Sequence, residues 1–236
     1  MTELVIDRSV AAKVLATVDA GLVRGLGKPI PGQMCVEAAV CFALGLPHGD
    51  DPGCVAPALR SVKISLNEKN WSNNKARAKG LRGLAIAQLG SAGVLDEKQF
   101  LQHVIEMTIR KIVPHVLRAA AGMEANAPHS DKLEAAAKRC EAEGTKAAAR
   151  AACAIAVNAD AYTNAAVNAA YTAACATDAT SATRLICAVH TADAYPNRSE
   201  YPPRDESLAF FAEEVVQILI AMKAPGTAWL DLTEAA

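Results

Sequence analysis

Between Arg118 and Tyr195 more than a third of the residues are alanine, against roughly a fifth of the whole 236-residue chain. Alanine loses no side-chain rotamer entropy in a helix and so has the highest helix propensity. It also buries little area, so an alanine-rich helix gains stability by letting its neighbours approach closely. The stretch is therefore expected to form tightly packed helices. The rest of the chain agrees. Apolar residues recur at helical spacing from Val10 to Val23, and no segment alternates apolar and polar residues as a half-buried strand does. Val62, Ile64 and Leu66 alternate over too few residues to outweigh their helical surroundings. The expected fold class is all-α, a compact multi-helix bundle of roughly eight helices with a long Ala-rich C-terminal helical region.

The expected helices follow from caps and breakers. The first spans Asp7 to about Leu26 and ends at a Gly/Pro loop. The second spans Gln33–Leu44, and Gly45 closes it. Ala56–Leu66 and Lys75–Leu89 follow, and Leu95 opens a long helix to Ala121 that Pro114 should kink or split. Ser130 is placed to cap Asp131–Glu143. Thr145–Asp178 and Thr180–Ala194 form the Ala-rich part, and a last helix from Asp205 or Ser207 reaches about Lys223 before Pro225 and Gly226 stop it. An N-terminal region, 1–123, and an Ala-rich region, 124–236, are expected to pack as one domain. Residues 1–120 carry 15 basic and 10 acidic side chains, and residues 121–236 carry 9 and 15, so the halves attract each other or a partner's matching half.

Composition excludes several classes. A net charge of −1 is too balanced for a polycation, and 52% hydrophobic residues is too many for an unfolded chain. No apolar run reaches the eighteen or so residues of a membrane span, and the first residues have no signal-like apolar core. A cytoplasmic protein with no membrane association is expected. Seven cysteines with no Cys-x-x-Cys pair read as small buried apolar residues rather than a disulfide framework.

Groups able to ligate or react concentrate between Met34 and Cys54. Glu37 is the sole charged residue between Lys28 and Asp50, on a helix that is otherwise apolar. A buried carboxylate needs a partner. One reading is an ion pair with Arg60, Lys63 or Arg82. A second is a divalent transition metal held by Glu37, His48, Asp50, Asp51 and Cys54, since zinc accepts mixed carboxylate, His and Cys ligands and can activate water. The spacing matches no standard zinc motif. A third is a Cys nucleophile with His48 as base. The bend itself, from His48 to Gly53, is turn chemistry throughout.

Residues 63–82 hold the one basic cluster. Lys75, Lys79 and Arg82 share a helical face with Trp71 just before it, a pattern able to track phosphates and stack a base. The alternative is a solvated face opposing the acidic half. Between Asn158 and Tyr171, polar residues interrupt the alanines, either as a solvated stripe or as a self-association face. Ala165 and Ala169 are the positions where added bulk would test that packing.

Gly27-Lys28-Pro29-Ile30-Pro31-Gly32-Gln33-Met34-Cys35-Val36-Glu37-Ala38-Ala39, followed by Gly45-Leu46-Pro47-His48-Gly49-Asp50-Asp51-Pro52-Gly53-Cys54-Val55, resembles an uncharacterised group of Ala-rich helical proteins of bacteria and phages. That group pairs a Met-Cys-x-x-Glu-Ala helix with an Asp-x-Pro-x-Cys turn. The likeness covers about the first 90 residues and the composition of the tail, and Leu66-Asn67-Glu68 departs from the group's Asn-Asp. It implies a shared fold and a phage or mobile-element origin, and it singles out Glu37, Asp51 and Cys54. Three functions are carried forward: a protein-interaction or self-assembly module, a metal-dependent hydrolase or transferase, and a nucleic-acid-binding protein.

Overall fold

The computed structural model describes residues 5–159 and 204–234. Nine α-helices run through them: α1 Arg8–Asp19, α2 Val36–Ala43, α3 Pro57–Asn67, α4 Asn74–Ala87, α5 Glu97–Met107, α6 Val113–Ala121, α7 Ser130–Glu143, α8 Lys146–Asn158 and α9 Arg204–Ala221. Among the described residues there is no strand, and only Met34 makes isolated bridges, to Leu22 and Gly27. The fold is all-α. No described helix is long and apolar enough to cross a membrane.

The chain divides into two compact units, 1–100 with 204–236, and 101–203. This differs from the division at 123/124 that the composition suggests. The reason lies in α9, which returns to the first unit and buries Leu208, Phe211, Val215 and Leu219 there. The change in charge and alanine content marks sequence composition, not a packing boundary.

In the first unit, Asp7 caps α1 by accepting from Val10 N at 2.9 Å. The helix stops at Asp19, earlier than its apolar periodicity suggests. Gly21 takes a left-handed φ of 124°, and Leu22 and Val23 donate their backbone N–H to Asn74 O and Met34 O. Leu22 is thus buried from non-helical chain, which the periodicity could not distinguish. The same tie holds Met34, so α2 begins at Val36 rather than Gln33. The Cys35 sulfur caps it, accepting from Ala38 N. Asn73 caps α4 by accepting from Lys75 N and Ala76 N. α9 ends at Ala221, ahead of Pro225 as the sequence suggests. A separate 3-10 helix, Pro225–Thr233, then packs against α4. A Cβ on Gly226 would lie 2.3 Å from Ile86 O, so glycine permits this close backbone approach.

In the second unit, α6 and α7 pack together and α8 packs on α7. The expected break at Pro114 appears as a π-helical turn, Thr108–Ile112, ahead of α6. Proline has no N–H to donate, and a π turn re-registers the ladder around that gap. Ser130 does not cap α7. It is the helix's first residue, because the 3-10 turn Glu124–His129 feeds straight into it. Thr145 caps α8 through Ala148 N. The expected helix beyond 159, the helix Thr180–Ala194 and the positions Ala165 and Ala169 lie outside the described residues.

Candidate functional site

Six of the eight residues of α2 are buried, Val36 to Cys41, so its lone acid has nowhere polar to go. Glu37 is 0% exposed, and Lys63, on α3, is also 0% exposed. The Lys63 Nζ lies 2.8 Å from Glu37 Oε1. Apart from each other, neither the ammonium nor either carboxylate oxygen has a hydrogen-bonding partner among the described residues. Burial pushes the Glu37 carboxyl up and the Lys63 ammonium down, and their mutual attraction opposes both shifts. Of the cations the sequence offered, Lys63 is the one that answers Glu37.

The bend has its own cation. Asp51 pairs with Arg60, one turn before Lys63 on α3, and its Oδ1 accepts from Gly53 N at 3.1 Å. These bonds hold its carboxyl below the usual range. His48 and Asp50 are exposed, and His48 Nε2 lies 3.1 Å from Gly27 O. Cys54 is buried. Among the described residues no three His, Cys, Asp or Glu side chains gather as a metal requires. Of the residues Glu37, His48, Asp50, Asp51 and Cys54 that the sequence offers to a metal, Glu37 faces Lys63 and Asp51 faces Arg60. The thiols are also poorly suited to attack. Burial raises Cys35 and Cys54, and raises Cys41 to about 11.

A cavity of about 40 Å³ adjoins Glu37, lined also by Asp50, Asn67, Glu68 and Cys35 among others. That volume suits a water molecule, whereas substrate pockets run to roughly 300–1,000 Å³. Glu37 is thus a buried acid with room for solvent beside it.

The basic cluster is largely spent inside the fold. Trp71 is 6% exposed and donates Nε1–H to Leu66 O at 2.9 Å, so its ring is no free stacking platform. Arg82 grips both oxygens of Asp19 and also the Thr233 carbonyl. Lys75 donates to Asp19 O at 3.0 Å, at the negative end of α1. Arg77 is buried and donates to Leu22 O and Asn67 O. Lys75 and Arg82 of the row expected to follow phosphates tie α1, α4 and the C-terminal segment together. Of the four residues Trp71, Lys75, Lys79 and Arg82, Trp71 and Lys79 line a large concavity.

That concavity is a groove of about 640 Å³ between α4 and α9, which the sequence reading did not find. On α4 it is bordered by Ala76, Gly80 and Gly83, and on α9 by Ala209, Ala212 and Val216. Trp71 closes its floor. A Cβ on Gly80 would meet the Trp71 ring at 2.3 Å, so glycine is what admits the indole beneath α4. Phe210, 45% exposed, stands on the rim. Asp205, Glu206 and Glu213 edge the α9 side, against Lys79 on the α4 side. Asp205 also pins the start of α9 by accepting from Ser72 N and Ser72 Oγ. The signal was present as small residues at helical spacing, 76, 80 and 83 and then 209 and 212. Its meaning depended on two helices more than a hundred residues apart meeting.

Compared with known proteins, the chain matches no family model, no curated sequence and no solved structure.

Proposed function

We propose that this chain is a non-enzymatic helical module that acts through contact with another protein, and that the α4–α9 groove is its contact surface. The observation that carries the reading is the groove's make-up: small and apolar side chains on both walls, an exposed aromatic on the rim and charges only at the edges. Interaction surfaces combine an apolar centre with a polar rim in this way. Aromatic residues, Phe among them, are enriched at such interfaces. The alternatives have less to work with. The acid in the Met34–Cys54 motif is neutralised by Lys63, and the basic face is tied to Asp19 and Thr233.

The test is site-specific photo-crosslinking in cells that express the chain natively. A benzophenone amino acid replaces Phe210, or Val94 as a more exposed position on the same unit outside the groove. A discrete protein adduct from position 210 and none from 94 is expected. No adduct at 210, or the same adducts from both positions, overturns the proposal.

A further inference from the structure

The small cavity beside Glu37 is one-sided in its chemistry. Three carboxylates line it, those of Glu37, Asp50 and Glu68, and among the described residues no cationic side chain does. Donors on its walls are committed elsewhere. Gly25 N donates to Glu68 Oε1 at 2.8 Å, and Val36 N donates to Asn67 Oδ1 at 3.3 Å. Asn67 Nδ2 donates to Val23 O and to Glu68 Oε1.

Two acceptors are left over. Glu37 Oε2 is wholly buried, and no described residue donates to it. Asp50 makes no hydrogen bond or ion pair among the described residues. A buried carboxylate oxygen without a donor is costly. The cavity therefore calls for an occupant that brings positive charge or donated hydrogens to Glu37.

The surrounding charges distinguish an ion from a water molecule. Lys63 answers Glu37, Arg24 Nε lies 3.4 Å from Glu68 Oε2, and Arg60 answers Asp51. These pairings leave Asp50 unpaired. A neutral water would satisfy a lone pair of Glu37 and leave the Asp50 charge standing, whereas a cation meets both. Size and donor set limit which cation. A volume of about 40 Å³ takes an ion of about the size of water, stripped of its hydration shell. Magnesium gives up its waters reluctantly, and no three His, Cys, Asp or Glu side chains among the described residues gather to replace them. Potassium exchanges its shell for protein oxygens.

We infer that this cavity binds one dehydrated monovalent cation of about the size of water, K⁺ or NH₄⁺, through Glu37 and Asp50. The ion joins the buried helix α2 to the bend that follows it. Because the unfolded chain has no such cavity, binding stabilises the fold.

The experiment is urea unfolding of the full chain at a constant ionic strength of about 0.15 M. KCl or NH₄Cl replaces choline chloride stepwise, since choline is far too large for the cavity. The midpoint is expected to rise with K⁺ or NH₄⁺ along a saturating one-site curve. Asp50→Asn removes the unpaired charge at an exposed position and keeps the buried pair, so half-saturation should move to about tenfold higher concentration. In the Glu37→Leu/Lys63→Met chain the dependence should vanish. A response to either ion supports the site: both act if charge holds the ion, and NH₄⁺ alone acts if donated hydrogens do. Equal midpoints in all three salts mean that water fills the cavity, and they overturn the inference. A cation response that Asp50→Asn or the double variant shares in full overturns it as well.

Discussion

Lys63 Nζ sits 2.8 Å from Glu37 Oε1, with both side chains wholly removed from solvent. Two opposite charges thus lie in the apolar centre of the first unit, each the other's sole partner among the described residues. Desolvating such a pair costs several kcal/mol per ion, which the mutual attraction barely offsets. The pair is therefore expected to contribute little net stability yet to be costly to break. Lys63→Met alone strands the acid and should destabilise the chain by about 3–5 kcal/mol. Glu37→Leu together with Lys63→Met should restore most of that or exceed the native stability. Chemical denaturation of the native, single and double variants measures the coupling.

The pH dependence of the pair has a definite sign. The folded-state pKa of Glu37 lies above its unfolded value near 4.5, so the folded chain holds that proton more tightly. Its contribution is fully present below the unfolded pKa and is lost as pH rises through the folded one. The Lys63 pKa lies below its unfolded value of 10.5, so its contribution grows as pH rises toward that value and falls as pH drops through the folded pKa. Relative to the Glu37→Leu/Lys63→Met chain, the native chain should be least stable at intermediate pH and should gain toward either end. Urea midpoints of the two chains across pH check this, with all other titrating groups common to both.

The buried thiols should be slow to react. Burial raises Cys41 and Cys140 to about 11, leaving little thiolate near neutrality. Brief alkylation at about pH 8, followed by peptide mapping, should leave Cys41 and Cys140 largely unlabelled in the native chain. Both should be fully labelled in denaturant.

Two glycines three residues apart on α4 should respond to alanine in opposite directions. A Cβ at Gly80 would collide with the Trp71 ring, so Gly80→Ala should cost about 1–3 kcal/mol as an overpacked site. At Gly83 the nearest neighbour is Val216 Cγ2 at 3.6 Å, ordinary contact, so Gly83→Ala should gain up to about 1 kcal/mol of helix propensity. Thermal melts of the two variants separate the roles.

The all-α fold was legible because helical periodicity and caps such as Asp7 and Thr145 are local signals. Boundaries went astray where a tertiary tie overrode them. Leu22 continues the apolar stripe of α1, but it is buried by backbone bonds to Asn74 rather than by the helix. The need of Glu37 for a cation was readable from the greasy helix around it. The sequence leaves Arg60, Lys63 and Arg82 as equal candidates, although Lys63 lies within the apolar face of Leu59, Val62 and Leu66, all buried. Arg82 shows the opposite case: a cation that read as a free phosphate ligand is held by Asp19. The groove was least legible, since it exists only once α9 has come back to α4.

The claim most exposed to test is that the α4–α9 groove is the working surface. The deciding measurement is the photo-crosslink yield from position 210 with and without Gly83→Leu, a substitution placed to fill the groove, alongside the melting temperature of each chain. An adduct that disappears while the melting temperature holds is the expected result. An adduct formed in equal yield by the filled and open grooves contradicts the account.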